Sequence, residues 1–270
     1  MGLPSPRQAG GGRPGDRPFR RAARRHRHRS GDDCMTEWKA RRFWKEAQVA
    51  ETGTGYTVHL DGRPVRTPAK RAMDLPTRAM AEAMATEWDA QEDEIAPLTM
   101  PVTRSANAAL DKVALQRDEV VEMLAAYGET DLLCYRAEGP DALAARQAEH
   151  WDPMLDWAAD TLGARLVLIE GVMPRPQPEE SLAKLHSVLN RQSDFELAAS
   201  HDLIAISGSL VLGLAAAADV APPDRVWELS RLDERWQEEQ WGIDEEAREV
   251  EAVKRAAFLH AHRFLHLARG

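Results

Sequence analysis

Tyr56-Thr57-Val58-His59-Leu60-Asp61-Gly62-Arg63-Pro64-Val65-Arg66-Thr67-Pro68 sets how the ordered part of the chain begins. Two β-prone runs flank Asp61-Gly62. Both central residues of a type I′ turn need positive φ, which this dipeptide accepts readily, so the segment predicts a β-hairpin. Just upstream, Gly53-Thr54-Gly55 is a lone Gly-x-Gly with no helix after it, and it reads as a turn rather than a phosphate loop.

Downstream of the hairpin the period changes. Met80, Met84 and Trp88 fall at i, i+4 and i+8 from Asp74 onward, with Pro76 suited to a first helical turn. Val102, Ala106, Ala109, Leu110 and Val113 repeat that stripe. Beyond Leu115 the pattern is helical, with helices predicted over 117–127, 141–162, 179–191, 194–219, 223–241 and 244–268. Gly128, Gly163 and Gly242 stand at expected stops, and Pro153 is expected to kink or split the second of these helices. Residues 165–170 are β-branched and run into Pro174, Pro176 and Pro178, which reads as a strand or extended arm. The fold class is therefore α+β: a small mixed α/β domain over 35–115 followed by an all-helical domain over 116–270.

The chain has 270 residues, 43% of them hydrophobic, enough to fill a real core. Its two cysteines, Cys34 and Cys134, match no metal or redox spacing, which points to a reducing compartment. The longest apolar run, 204–218, falls short of the roughly 20 residues a membrane span needs and reads as a buried helix. Charge is split unevenly. Residues 1–34 carry nine arginines against three aspartates, whereas the rest holds 41 acidic and 26 basic residues. So acidic a body repels phosphate backbones, which argues against nucleic acid as its partner.

The tail, 1–34, has six Gly, four Pro and no apolar periodicity, and reads as disordered. A transit peptide, a nucleic-acid arm and a polyanion-binding tail compete there with a plainer reading, in which Met35 is the true start. On that reading His26 and His28 are not a metal site.

No catalytic motif stands out. Walker A and His-Glu-x-x-His are absent, and Ser207-Gly208-Ser209 fails the Gly-x-Ser-x-Gly frame, so its small residues read as an aid to close helix packing. His260, His262 and His266 are the only dense histidine group. With no carboxylate or Cys nearby on that helix face they read as structural, and no metal or cofactor is expected. The aromatic placement is more telling. Trp227, Trp236 and Trp241 fall within 223–241, where Val226, Leu229, Leu232 and Trp236 form an inward stripe and Glu239 lies near its edge. A Trp-rich helix edged with acids suits a partner with a basic patch, and equally suits a packed helix with one wet side.

Several strings occur in order from about Arg41 to Ala268: Arg42-Phe-Trp-Lys45, Leu60-Asp-Gly-Arg-Pro-Val-Arg-Thr-Pro68, and Glu129-Thr-Asp-Leu-Leu-Cys-Tyr-Arg-Ala137. They continue with Gln147, Trp151-Asp-Pro153, Ser207-Gly-Ser-Leu-Val-Leu-Gly-Leu-Ala215 and Gln237-Glu-Glu-Gln-Trp-Gly242. Together they resemble the ATP synthase assembly chaperones that bind the unassembled alpha subunit of the catalytic head. The resemblance implies a non-enzymatic chaperone with a mixed N-terminal and a helical C-terminal domain. It would hold the alpha subunit, mask its subunit interface and hand it to the beta subunit, with no cofactor. An acidic residue near the Trp-Gly motif is implied in binding: Glu239, with Glu234 in reserve. Trp241, Gln237, Asp131 and Arg136 complete the expected partner site, although Asp131, Tyr135 and Arg136 equally suit a structural role. The expected setting is the bacterial cytoplasm, or the mitochondrial matrix in a eukaryote, with a monomer and no membrane insertion. Two other readings remain: a metal-dependent enzyme using the acidic helix over 223–241 with His260, His262 and His266, and an acidic adaptor for another basic partner.

Overall fold

The computed structural model describes residues 41–171 and 173–270. The expectations for the basic tail, Cys34 and Met35 lie outside those residues. The described residues belong to one compact unit. It opens with a three-stranded antiparallel sheet, β1 (Ala47–Glu51), β2 (Tyr56–Leu60) and β3 (Arg63–Pro64), in that order. The turn between β2 and β3 is the predicted one, with Asp61 at φ 47° and Gly62 at φ 81°, pairing Leu60 with Arg63. Strand β1 was not legible in the sequence. It pairs with β2 from Ala47–Leu60 to Glu51–Tyr56 across the turn at 52–55.

Helix α1 (Arg78–Asp89) lays Met80, Ala81, Met84 and Ala85 against this sheet. Pro76 is not in its first turn. The N-cap is Thr77, whose Oγ1 accepts from Met80 N at 3.1 Å and donates to the carbonyl of Leu267. Helix α2 (Pro101–Asp111) has no cap of its own, and α1 supplies one. The Glu87 carboxylate accepts from Val102 N at 2.6 Å and Thr103 N at 2.8 Å, satisfying orphan donors where the helix dipole favours negative charge. A single 3₁₀ turn, Val113–Leu115, leads into α3 (Arg117–Ala125).

Further 3₁₀ turns carry the chain to β4 (Tyr135–Arg136), which pairs in parallel with β5 (Ile169–Glu170). Between them α4 (Asp141–Thr161) runs unbroken through Pro153, so the expected split does not occur. The β-branched run at 165–170 contributes only its last two residues as strand. Helix α5 (Glu179–Asn190) follows.

The predicted helix over 194–219 is two helices, α6 (Asp194–Ser207) and α7 (Leu210–Ala217). Gly208, at φ 73°, ends the first, and Ser209 caps the second by accepting from Leu212 N. A Cβ at Gly208 would meet nothing within 4 Å, so this glycine serves the backbone turn rather than close packing. The close approach is at Gly213, where a Cβ would lie 2.4 Å from Ile204 Cγ1. Every residue of α7 is buried, as a helix that is apolar all round must be.

The helix expected over 223–241 is also two, α8 (Pro223–Ser230) and α9 (Leu232–Trp241). Arg231, at φ −114° and ψ 18°, makes the break, with its guanidinium over the Trp227 ring and paired to Glu234 at 2.8 Å. No Gly or Pro marks that position. Helix α10 (Glu245–Arg269) closes the fold, burying Phe258, Ala261, Phe264 and Leu265 against α6 and α8, with the half-buried His260 against Ser105 of α2. The fold class is α+β, as the sequence implied.

Candidate partner-binding site

The residues singled out by sequence divide into a buried support and an exposed face. Asp131 belongs to the support. It has no solvent exposure, and its carboxylate accepts from Leu133 N at 3.0 Å, Ser209 Oγ at 2.7 Å and Val211 N at 3.0 Å. Burial pushes its pKa up, against the pull of these donors. Asp131 thus ties the turn before β4 to the start of α7, and no partner can reach it in this conformation. Cys134 beside it is equally buried, its thiol pushed up to about 12 by burial and by Asp131.

Arg136 is nearly buried too. Its Nε donates to Leu133 O at 2.9 Å, its Nη2 meets Asp152 at 2.6 Å, and the guanidinium lies over the Trp151 ring. Trp151 in turn donates from Nε1 to Leu229 O at 2.9 Å, which locks α4 to α8. Gln147, 2% exposed, accepts from Ala137 N at 2.8 Å and donates to Asp233 Oδ1 at 2.7 Å. One amide therefore joins β4, α4 and α9. Buried amides with both ends satisfied fix relative position better than apolar contacts do.

On that support α9 presents the exposed face. Arg146 of α4 donates to both carboxylate oxygens of Glu239 at 2.8 Å, and its guanidinium stacks over Trp236 with 4.8 Å to the centroid. This pairing holds the Glu239 carboxyl below its usual range. Arg146 was missed in the sequence because a single Arg in an amphipathic helix carries no signal of its partner. Glu234 is exposed and held by Arg231. Gln237 is exposed, and Trp241 keeps 78% of its surface in water. Trp236, Gln237, Trp241, Asp233, Arg136 and Gln147 contribute to the walls of a cleft of about 510 Å³. The three tryptophans of 223–241 thus have three fates: Trp227 is core, Trp236 is half-covered by Arg146, and Trp241 is free.

The enzyme reading needed acids of 223–241 to converge on the histidines. Among the described residues, Glu234 and Glu239 pair with arginines, and Asp224 pairs with Arg255. The histidine group itself separates. His260 faces Ser105 at 3.0 Å, and burial lowers its pKa. His262 and His266 instead meet Asp219, which the sequence reading did not place near them; their Nε2 atoms lie 2.9 and 3.1 Å from Asp219 Oδ1. The carboxylate judged absent comes from the loop after α7, 43 residues upstream of His262.

An exposed tryptophan edged with acids, over a buried hydrogen-bonded frame, is the kind of surface that a binding protein offers a partner. Residues 41–159 match the family described as ATP12 chaperone protein. The crystal structure of Atp12 from Paracoccus denitrificans is 48% identical, covers 86% of this chain and all of that one, and superposes with a TM-score of 0.84. The Atu1473 protein of Agrobacterium tumefaciens is 43% identical over 85% of this chain and 86% of its own, with a TM-score of 0.81. The mitochondrial protein atp12 of Schizosaccharomyces pombe is 23% identical over 78% of this chain and 77% of its own length. The chain belongs to the ATP12 chaperone family, the same assembly chaperones of ATP synthase that its motifs resemble. No helix among the described residues is long and apolar enough to cross a membrane.

Proposed function

We propose that the chain binds the unassembled alpha subunit of ATP synthase through the exposed surface of α9 around Trp241, Gln237, Glu234 and Glu239, and releases it when the beta subunit arrives. The observation that carries this reading is Trp241, 78% exposed at the mouth of the cleft. A large aromatic left in water at the end of an acidic helix costs solubility unless a partner covers it, and Trp anchors dominate interface energetics. Ile243, Val250 and Val253 are also exposed, in the following loop and the first half of α10.

The support beneath the face serves the same end. Asp131 ties the turn before β4 to α7, and Arg136, Gln147 and Trp151 join β4, α4, α8 and α9, so little ordering entropy is lost on binding. The action is stoichiometric: a subunit of an obligate ring exposes an apolar interface until its neighbour docks, and a binder that covers this surface prevents aggregation. The bacterial cytoplasm is the proposed setting.

Co-expression with the alpha subunit of the same ATP synthase tests the reading. Soluble alpha subunit that co-elutes with the chain on size exclusion, and is weakened by Glu239→Lys, is the expected result. Alpha subunit left insoluble, with no complex, would overturn it.

A further inference from the structure

Outside the binding face, the fold assembles a cluster that the chaperone reading does not use. Asp219 Oδ1, His262 Nε2 and His266 Nε2 form a triangle with edges of 2.9, 3.1 and 3.2 Å. The two histidines lie one turn apart on α10, and Asp219 enters from the loop that follows α7. His262 is largely buried, with 14% of its side chain exposed, while His266 and Asp219 are open to solvent at 44% and 53%.

Protons alone satisfy this triangle poorly. If both imidazoles donate to the same carboxylate oxygen, their two N–H groups crowd each other and the 3.2 Å contact between nitrogens is not a hydrogen bond. If one imidazole donates to the other, its Nε2 proton is used and the accepting nitrogen carries none, so neither Nε2 donates to Asp219. A cation at the centre accepts a lone pair from all three atoms. Tetrahedral zinc, with ligands at about 2.0–2.1 Å, separates them by about 3.3 Å, close to the edges observed. Two imidazoles with one carboxylate are borderline donors that suit zinc and disfavour the hard cations magnesium and calcium.

The surroundings leave the site open to a cation. Arg269, one turn further along α10, is turned away, with Nε on Glu196 at 2.8 Å and Nη1 on the carbonyl of Ala217. Asp219 sits at φ 52°, a left-handed conformation that Asp tolerates better than most residues. We propose that Asp219, His262 and His266 bind a single zinc ion, with water in the fourth position, and that the ion clamps the end of α10 to the loop after α7.

The test uses the full chain and zinc chloride alone. The site predicts one Zn(II) per chain by titration calorimetry, a tetrahedral Co(II) spectrum on substitution, and a thermal midpoint that rises with zinc. His266→Gln and Asp219→Asn, both at solvent-open positions, are expected to weaken zinc binding at least about tenfold and to abolish the rise, with an unchanged circular dichroism spectrum. Absence of stoichiometric zinc binding, or binding indifferent to both substitutions, would overturn the proposal. The outcome does not depend on the alpha subunit.

Discussion

Arg146 and Glu239 are 93 residues apart in sequence, yet the guanidinium of the first meets both carboxylate oxygens of the second at 2.8 Å while its carbon lies 4.8 Å from the Trp236 ring centroid. The acid expected to face the partner is therefore already paired within the chain. A basic group on the partner must share or replace Arg146.

The two partners of that pair give opposite expectations. Glu239→Lys sets two cations against each other beside Trp236 and should weaken co-elution with the alpha subunit, whereas Arg146→Met frees the carboxylate and should leave the complex intact or tighter. Both pair members are solvent-exposed, so the thermal midpoint should move little in either variant. Loss of the complex in Arg146→Met, with Glu239→Lys indifferent, would assign the contact to the arginine instead. Size exclusion of the co-expressed pairs gives the answer.

Gly213 should not tolerate a side chain. Its added Cβ would lie 2.4 Å from Ile204 Cγ1 and 3.1 Å from the Ile204 backbone, between α6 and α7. Gly213→Ala is expected to cost about 1–3 kcal/mol in urea unfolding. Ile204→Ala, which removes the clashing Cγ1, should cost less in that background than in the native chain, which a double-mutant cycle measures.

Cys134 should be chemically silent in the folded protein. Its thiol is fully buried and pushed up to about 12, so almost no thiolate exists near neutrality. In a Cys34→Ser background, a thiol reagent should react only as fast as the protein unfolds. Rapid stoichiometric labelling under native conditions would show that the turn before β4 opens far more readily than its packing implies.

His260 makes stability depend on pH with a definite sign. Burial lowers its folded pKa below the usual 6.5, with Asp202 pulling the other way. The unfolded state therefore takes up a proton first as pH falls. The contribution is fully present above about pH 6.5 and is lost as pH drops through the lowered value. Comparing urea midpoints at about pH 7.5 and about pH 5.5 should show a drop in the native chain that is smaller in His260→Gln.

Elements whose chemistry is local were legible in sequence. Asp61-Gly62 alone specifies a turn, because positive φ at both residues is a property of the dipeptide. The stripe of Met80 and Met84 specifies a helix face, because 3.6-residue periodicity needs no partner to be read. The breaks at Gly208 and Arg231 were not legible. An apolar run from Ile204 onward reads as one helix until Gly208 takes up the left-handed conformation, and at Arg231 a stacked Trp227 and a paired Glu234 accompany the change of direction. Strand β1, Ala47–Glu51, was missed for a related reason: with Gln48 and Glu51 it has little β propensity and is held by pairing with β2.

The candidate site divides along the same line. The sequence by itself determined the residue types and their strings: an acidic body, a tryptophan followed by glycine at the end of α9, and the motifs that mark the ATP12 family. Only the tertiary structure decided which of those residues face water. It buried Asp131 and Arg136, left Trp241 free, gave Glu239 to Arg146, and brought Asp219 to His262 and His266. Periodicity and turn chemistry act over a few residues, whereas burial and ion pairing depend on contacts between segments tens of residues apart. Those contacts exist only once the core has closed.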